Sequence, residues 1–337
     1  MPTIKDVAAA AGVSPTTVSL VMNGHGPENR IPKETIERVH AAMRELGYQP
    51  NLSARRLRNS AERKPVIAFY WPLDYRAHMM GFFLSLIQNA LKDKSFDCEV
   101  LLHPYINDHI EEACTPLLQN NYSGAIIGAA SEQDVRMLEQ MNIQMPLVLI
   151  NRESNKYTAV GVNSNKAGLL AASLIRQKGY SQIAVIGPDN HYFAASRRTE
   201  AFRFACKQLG IQIPDEWFFT APNTPEDGAL AAEKVCALST MPKMLFCESD
   251  AMIPGILYTF HRYGVLIPQD MELLCFSTKD PKQTKYLVPS VSIIAMPSDE
   301  IIQQSLSALI VHITTGSREP MRIECEARVE LRDTFRL

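Results

Sequence analysis

Apolar positions follow two rhythms along this chain. Over residues 4–46 apolar and alanine residues recur every three or four positions, as on one face of short helices. From residue 66 onward, short continuous apolar runs alternate with longer stretches of helical period. In the first region, 4–11 reads as a helix. Gly12-Val13 breaks it, since glycine tolerates the backbone angles of a tight turn. Ser14-Pro15 opens a second helix, with Ser as N-cap and Pro at the first helical position, running to about Asn23. Ile4, Val7, Ala8, Val13, Val18 and Val21 can close a shared core. After a Gly-, Pro- and Asn-rich loop, 32–47 reads as a third helix, with Ile36, Val39, Met43 and Leu46 on one face and Gly47 as the stop. Two short helices joined by a glycine-containing turn make a helix-turn-helix. Thr16 and Thr17 then stand near the N-terminus of the second helix, where such a helix enters the major groove.

The second region predicts strands near 66–71, 99–102, 125–127, 147–150, 160–162, 183–186, 217–220, 244–247, 273–276 and 291–295, with a closing strand at 328–332. Between them lie amphipathic helices near 82–91, 167–177, 201–209, 229–238, 253–263 and 301–313. Such alternation predicts parallel sheets covered by helices on both faces, and its length fits two lobes better than one. The fold class expected is a small all-α helix-turn-helix headpiece plus a two-lobed α/β core. The expected domains are 1–50 for the headpiece, 51–64 for a linker, and 65–337 for the core.

Charge sharpens this division. Residues 1–64 hold 10 Lys and Arg against 6 Asp and Glu, while the remainder holds 24 against 30, for a net charge of −2. A basic end on an acidic body fits a nucleic-acid module joined to something else. The seven cysteines form no C-x-x-C and no regular spacing, which argues for thiols in a reducing compartment rather than a disulfide framework. The N-terminus lacks the apolar core of a signal peptide and no apolar run reaches membrane-spanning length, so a cytoplasmic protein is expected. Enzyme motifs are missing: there is no G-x-S-x-G, H-E-x-x-H, Walker A or G-x-G-x-x-G, and no i,i+4 histidine pair for a metal. Neither metal nor cofactor is expected. A small-molecule enzyme or a solute receptor with a helical appendage is the alternative reading; the missing motifs oppose the first, and the basic headpiece and missing signal peptide oppose the second.

The wording D-V-A-x-x-A-G-V-S-x-x-T-V-S-x-V-x-N, continued by I-P-K-E-T-I-E-R-V-H-A-A-M-R-E-L-G-Y-Q-P-N and L-S-A-R-R-L, resembles the headpiece of the LacI/GalR family of bacterial regulators. The resemblance implies operator contacts by Thr3, Ser14, Thr16, Thr17, Leu20, Asn23 and Arg30. It also implies a hinge helix at Asn51, Ala54, Arg55 and Leu57, with Leu57 wedged between base pairs in the minor groove. Leu20 replaces a frequent Arg or His, which implies an uncommon operator. The body resembles the family's periplasmic-binding-protein-like core, with crossings between lobes near Asn163 and Ala295. Gly161-Val162-Asn163-Ser164, the run from Lys178 to Ala184, and Pro289-Ser290-Val291-Ser292 carry the match. A homodimer on a pseudo-palindromic double-stranded operator is implied, with a small-molecule effector, a carbohydrate or derivative, bound between the lobes, and no membrane partner.

Effector contacts are expected from the ends of strands. Trp71, Asp74 and Tyr75 lie in W-P-L-D-Y-R after the first strand. Trp71 either stacks on ligand or packs the lobe. Arg198 matches the arginine of the family's R-x-x-G-F, with Ala201 in place of Gly, while its neighbour Arg197 is expected to face solvent. Asn151 stands where many members have Asp, and with Ser277 this loss of carboxylates leaves room for an acidic or substituted ligand beside a plain neutral sugar. Ser249 stands at the family's Asn, Asp250 either contacts ligand or caps the next helix, and Ser277 occupies the place of a hydroxyl-binding Asp.

Overall fold

A computed structural model describes residues 4–22, 29, 31–46, 64–74, 76–189, 193–278 and 280–337. The chain divides into two compact units, Met1–Arg63 and Lys64–Leu337.

In the first unit α1 (Ile4–Ala11), α2 (Pro15–Met22) and α3 (Lys33–Glu45) close a core of Val7, Ala8, Ala11, Val18, Val21, Val39 and Ala42. Gly12 turns between α1 and α2 at φ +62°. The Ser14 Oγ accepts from the Thr17 amide at 3.1 Å, the N-cap the sequence predicts. Val13 is only half-buried, and Leu46 is 38% exposed rather than in the core. Leu46 falls just past the end of α3, where the helical phase no longer aims it inward, and Ala42 takes the buried place. The Ile4 side chain lies outside the described residues.

The second unit begins with β1 (Val66–Pro72) and α4 (Met80–Lys94), followed by β2 (Glu99–Tyr105) and the single-turn helices α5 (Ile110–Ala113) and α6 (Thr115–Leu118). Then come β3 (Gly124–Gly128), α7 (Glu132–Gln140), β4 (Leu147–Ile150), β5 (Thr158–Val162) and α8 (Ser164–Gln177). The chain goes on through β6 (Ala184–Pro188), α9 (Phe193–Gln208), β7 (Phe218–Ala221), α10 (Pro225–Cys236), β8 (Met244–Cys247) and α11 (Ile253–Arg262). It ends with β9 (Glu272–Ser277), α12 (Pro281–Lys285), β10 (Ser292–Ala295), α13 (Ser298–Thr315), β11 (Arg322–Cys325) and β12 (Arg328–Glu330).

These strands form two six-stranded sheets. The first runs β11-β5-β4-β3-β1-β2, all parallel; the second runs β12-β10-β9-β8-β6-β7, with only β12 antiparallel. Helices cover both faces of each, giving four apolar clusters, two per lobe. In the second lobe Phe202 stacks on Phe246 with centroids 4.0 Å apart, and Phe276 meets Phe246 edge-on at 4.9 Å. The chain crosses between lobes after β5 and after β10, as predicted, and a third time between β11 and β12. Helix α13 returns to the first lobe, where Ile301, Ile302, Leu306 and Leu309 join the cluster built on β1, β3 and β4. Asn163 caps α8 at the first crossing, its Oδ1 accepting from the Lys166 amide at 3.1 Å.

Helices α5, α6, α7 and α12 have no counterpart in the sequence reading, and two strands depart from it. Strand β11 was not predicted: R-I-E-C alternates charge with apolar residues and, at a sheet edge, pairs only with β5. The strand expected to start at 217 starts at Phe218, because Asp215–Trp217 forms a 3₁₀ turn.

Candidate functional site

The carboxyl ends of both sheets face one cleft of about 600 Å³, a volume suited to a small molecule. Each wall sits at a topological switch point, where successive connections from a central strand leave in opposite directions. In the first lobe this point lies between β1 and β3, and in the second between β6 and β8.

On the first-lobe wall, Trp71 lines the cleft but is 2% exposed. Its ring packs on Phe83 at 4.8 Å, fits where Gly128 carries no Cβ, and its Nε1–H donates to the Arg76 carbonyl at 3.0 Å. Lobe packing is therefore its structural role. Arg76, which the sequence reading did not single out, lines the cleft instead of its neighbour Asp74. The Arg76 guanidinium is paired with the Asp74 carboxylate and also donates to the Ala129 carbonyl at 2.6 Å and to Asn107 Oδ1 at 2.8 Å. Asp74, expected to touch the effector, is engaged by this arginine, a correction to the sequence reading. Arg152 is equally buried and donates to the Ala130 and Asn151 carbonyls. Ala129 and Asn151, directly after β3 and β4, hold left-handed φ values of 55° and 54°. Backbone strain of this kind concentrates at binding sites. The Asn151 Oδ1 accepts from the Val162 amide at 3.3 Å, and the close approach of Gly161 makes room for it.

On the second-lobe wall Arg197, Arg198 and Ala201 of α9, Asn223 after β7, Glu248 and Ser249 after β8, and Thr278 after β9 reach the cleft. Arg197 is exposed, as expected, and also lines the cleft rim. Gly168 of α8 lets the α9 backbone approach closely at Ala201: a Cβ on Gly168 would come within 2.6 Å of the Ala201 carbonyl carbon. Asp250 and Ser277 do not line the cleft. Ser277 Oγ donates to Asp250 Oδ2 at 2.7 Å and the Thr278 amide donates to the same oxygen at 3.2 Å. Asp250 thus ties the loop after β8 to the loop after β9. It makes no side-chain cap on α11, whose N-cap is Met252. Both expectations for Asp250, and that for Ser277, are corrected by this pair.

Glu248 was missed. Its only signal is an acid placed directly after the fully apolar strand M-L-F-C. The carboxyl is 5% exposed and accepts from Thr199 Oγ1 at 2.7 Å. Burial pushes its pKa up to about 7, against the lowering pull of the Thr199 hydroxyl and of the Arg198 and Arg203 guanidinium groups.

Of the remaining expected residues, Trp71, Asn151, Arg198 and Ser249 are brought together in the cleft. In the headpiece, Ser14 and Thr16 are exposed at the start of α2, Thr17 and Leu20 are half-buried, and the Ser14 and Thr17 hydroxyls bond to each other at 2.9 Å. Thr3, Asn23, Arg30, Asn51, Ala54, Arg55, Leu57 and Tyr75 lie outside the described residues. All seven cysteines are free. Among the described residues, no group of His, Cys, Asp and Glu could hold a metal, and no helix is long and apolar enough to cross a membrane.

A helix-turn-helix unit joined to a two-lobed periplasmic-binding-protein-like core defines a DNA-binding regulator rather than an enzyme. Comparison with known proteins gives the same class. Residues 3–51 match the family described as bacterial regulatory proteins, lacI family, and residues 172–335 match the periplasmic binding protein-like domain. The chain is 26% identical over 336 residues to the HTH-type transcriptional repressor PurR of Escherichia coli, covering 98% of this chain and 95% of that one. A LacI family transcription regulator from Clostridium acetobutylicum superposes with a TM-score of 0.76 at 29% identity, over 80% of this chain and 100% of that one. The CelR–cellobiose complex shares the fold, with a TM-score of 0.69 at 21% identity over 99% and 100% of the two chains. Residues 3–51 thus carry a lacI-family DNA-binding domain and residues 172–335 a periplasmic binding protein-like domain, the domain pair of a DNA-binding transcriptional repressor.

Proposed function

We propose that this repressor acts as a homodimer on a pseudo-palindromic operator, and that a carbohydrate or carbohydrate derivative in the interlobe cleft sets its operator affinity. The observation that carries the effector reading is a single cleft of about 600 Å³ lined by polar groups of both lobes, Asn151 and Arg152 on one side and Arg198, Ser249 and Glu248 on the other. That the related CelR was solved with cellobiose supports the carbohydrate class. A ligand touching both lobes favours one closure angle, and it can shift operator affinity only by its differential affinity for two lobe arrangements. The dimer follows from DNA geometry: one headpiece buries too little DNA for a specific site, and two-fold proteins read two-fold operators. In this reading Thr16 contacts bases, and Arg55 and Leu57 engage the operator centre.

Selection from a random DNA library by the full-length protein should return a two-fold-related site, and sedimentation with that site should give two chains per duplex. A monomer bound one per site sinks the dimer. With the operator known, Arg198→Ala should retain operator binding and lose the response to effector, because Arg198 lies in the core and not in the headpiece. A mutant that responds at the wild-type ligand concentration removes Arg198 from the effector site.

A further inference from the structure

Glu248 lies at the switch point of the second lobe, its amide bonded to the Ile186 carbonyl of β6 at 2.9 Å. Gly187, the next residue of β6, makes space for the carboxylate: a Cβ there would overlap Glu248 Oε2. Oε2 has its donor in Thr199. Oε1 is buried in the cleft wall with no hydrogen-bond partner, and Asn223 Oδ1, also at the cleft, is in the same condition. A buried acceptor left without a donor is unfavourable to the fold. Packing alone gives no reason for an acid here, since Cys247 before it belongs to the apolar core.

We infer that Glu248 anchors the second-lobe end of the effector, its Oε1 accepting a hydrogen bond from an uncharged hydroxyl, with Asn223 Oδ1 as a second acceptor for a neighbouring hydroxyl. The ligand class is a neutral, polyhydroxylated ring. The inference rests on the carbohydrate reading of the cleft and adds to it the atom that is read and the charge excluded there. An ammonium group is disfavoured because the Arg198 and Arg203 guanidinium groups already act on this carboxyl. Five arginines (76, 152, 197, 198, 322) against four glutamates (153, 200, 248, 324) line the cleft as a whole, so nothing there calls for a cation. A carboxylate or phosphate at this spot is repelled by Glu248 wherever that carboxyl is ionised, above about pH 7.

The test uses the full-length protein, with D-glucose, D-galactose, cellobiose and maltose as neutral probes and D-glucuronic acid and D-glucosamine as charged ones. Binding is read by thermal shift and then by titration calorimetry. A neutral sugar should bind. Glu248→Gln should weaken it about tenfold and Glu248→Ala about a hundredfold, the range spanned by neutral and charge-assisted hydrogen bonds. Both variants should melt, without ligand, at or above the wild-type temperature. One monodeoxy analogue of the bound sugar should lose affinity for wild type and lose nothing further in Glu248→Ala, a coupling that a merely structural residue does not show. Undiminished sugar binding by both variants overturns the Glu248 assignment and leaves the cleft reading standing. Binding of only the charged probes overturns the neutral class. Binding of no probe removes the carbohydrate reading and this inference with it.

Discussion

Arg76 and Glu248 are both ionisable, both more than nine-tenths buried, and both line the same cleft from opposite lobes. They differ in how completely the protein answers them. Arg76 has a carboxylate partner in Asp74, a carbonyl in Ala129 and an amide oxygen in Asn107, which fix its plane and its position. Glu248 has one hydroxyl donor, from Thr199, and an oxygen with none. The first-lobe wall is thus built by internal pairing, and the second-lobe wall is left incomplete. A buried charge with a full set of partners holds a shape, whereas one with an open valence is held in readiness for something that arrives. Burial and charge alone do not separate the two cases; the count of hydrogen-bond partners does.

The comparison predicts opposite responses to neutralisation. Removing the answered charge should have the largest effect. Arg76→Ala leaves Asp74 half-buried without its partner and should destabilise the core by roughly 3–5 kcal/mol in urea unfolding. A loss below about 1 kcal/mol would mean that the network contributes little.

Glu248 gives the next effect, through pH. Its folded pKa, about 7, lies above its ordinary 4.5, so the folded state holds the proton more tightly than the unfolded chain. Its stabilising contribution is therefore full below about pH 4.5 and is lost as pH rises to about 7. Wild-type stability measured relative to Glu248→Gln should fall by about 3 kcal/mol across that window. A constant difference between the two would show that the carboxyl is already answered.

The smallest effect concerns strain on the answered wall. Ala129 sits at φ 55° while its carbonyl serves Arg76. Ala129→Gly should stabilise by roughly 0.5–1 kcal/mol, since glycine adopts that conformation without a Cβ penalty, less its larger unfolded-state entropy. A destabilised variant would place the strain elsewhere.

How much could be read in advance depended on the range of the interaction. The start of α2 is set by Ser14-Pro15 and its entry turn by Gly12, signals within a few residues of what they control, and both boundaries matched. Trp71, Asn151 and Ser249 reached the cleft because strand ends are readable from apolar runs and the cleft collects those ends, whereas Arg198, inside α9, was placed only by its match to the R-x-x-G-F motif. The failures are pairings across the sheet. Asp250 and Ser277 satisfy each other from adjacent strand ends, which no local pattern reveals. Glu248 depends on Gly187, distant in sequence but adjacent in register through β6 and β8. Helix α7 carries a local signal that was passed over, the reciprocal capping of Ser131 and Asp134, because its polar composition hid the apolar stripe.

The position of α13 has a consequence for synthesis on the ribosome. Its side chains Ile301, Ile302, Leu306 and Leu309 seal the face formed by Ile67, Ile126, Val148 and Val160, and β11 completes the same sheet beside β5. Phe83, Ile87 and Ala90 of α4 cover part of that face early, but the N-terminal lobe waits for nearly the last part of the chain to emerge before the rest is covered. Domains that fold as they are made usually close from the front; here the earlier lobe closes late. A nascent or truncated chain ending near residue 297 would present that uncovered face to chaperones and proteases. The length of the messenger translated, and not only the residues of the first lobe, decides whether that lobe can persist.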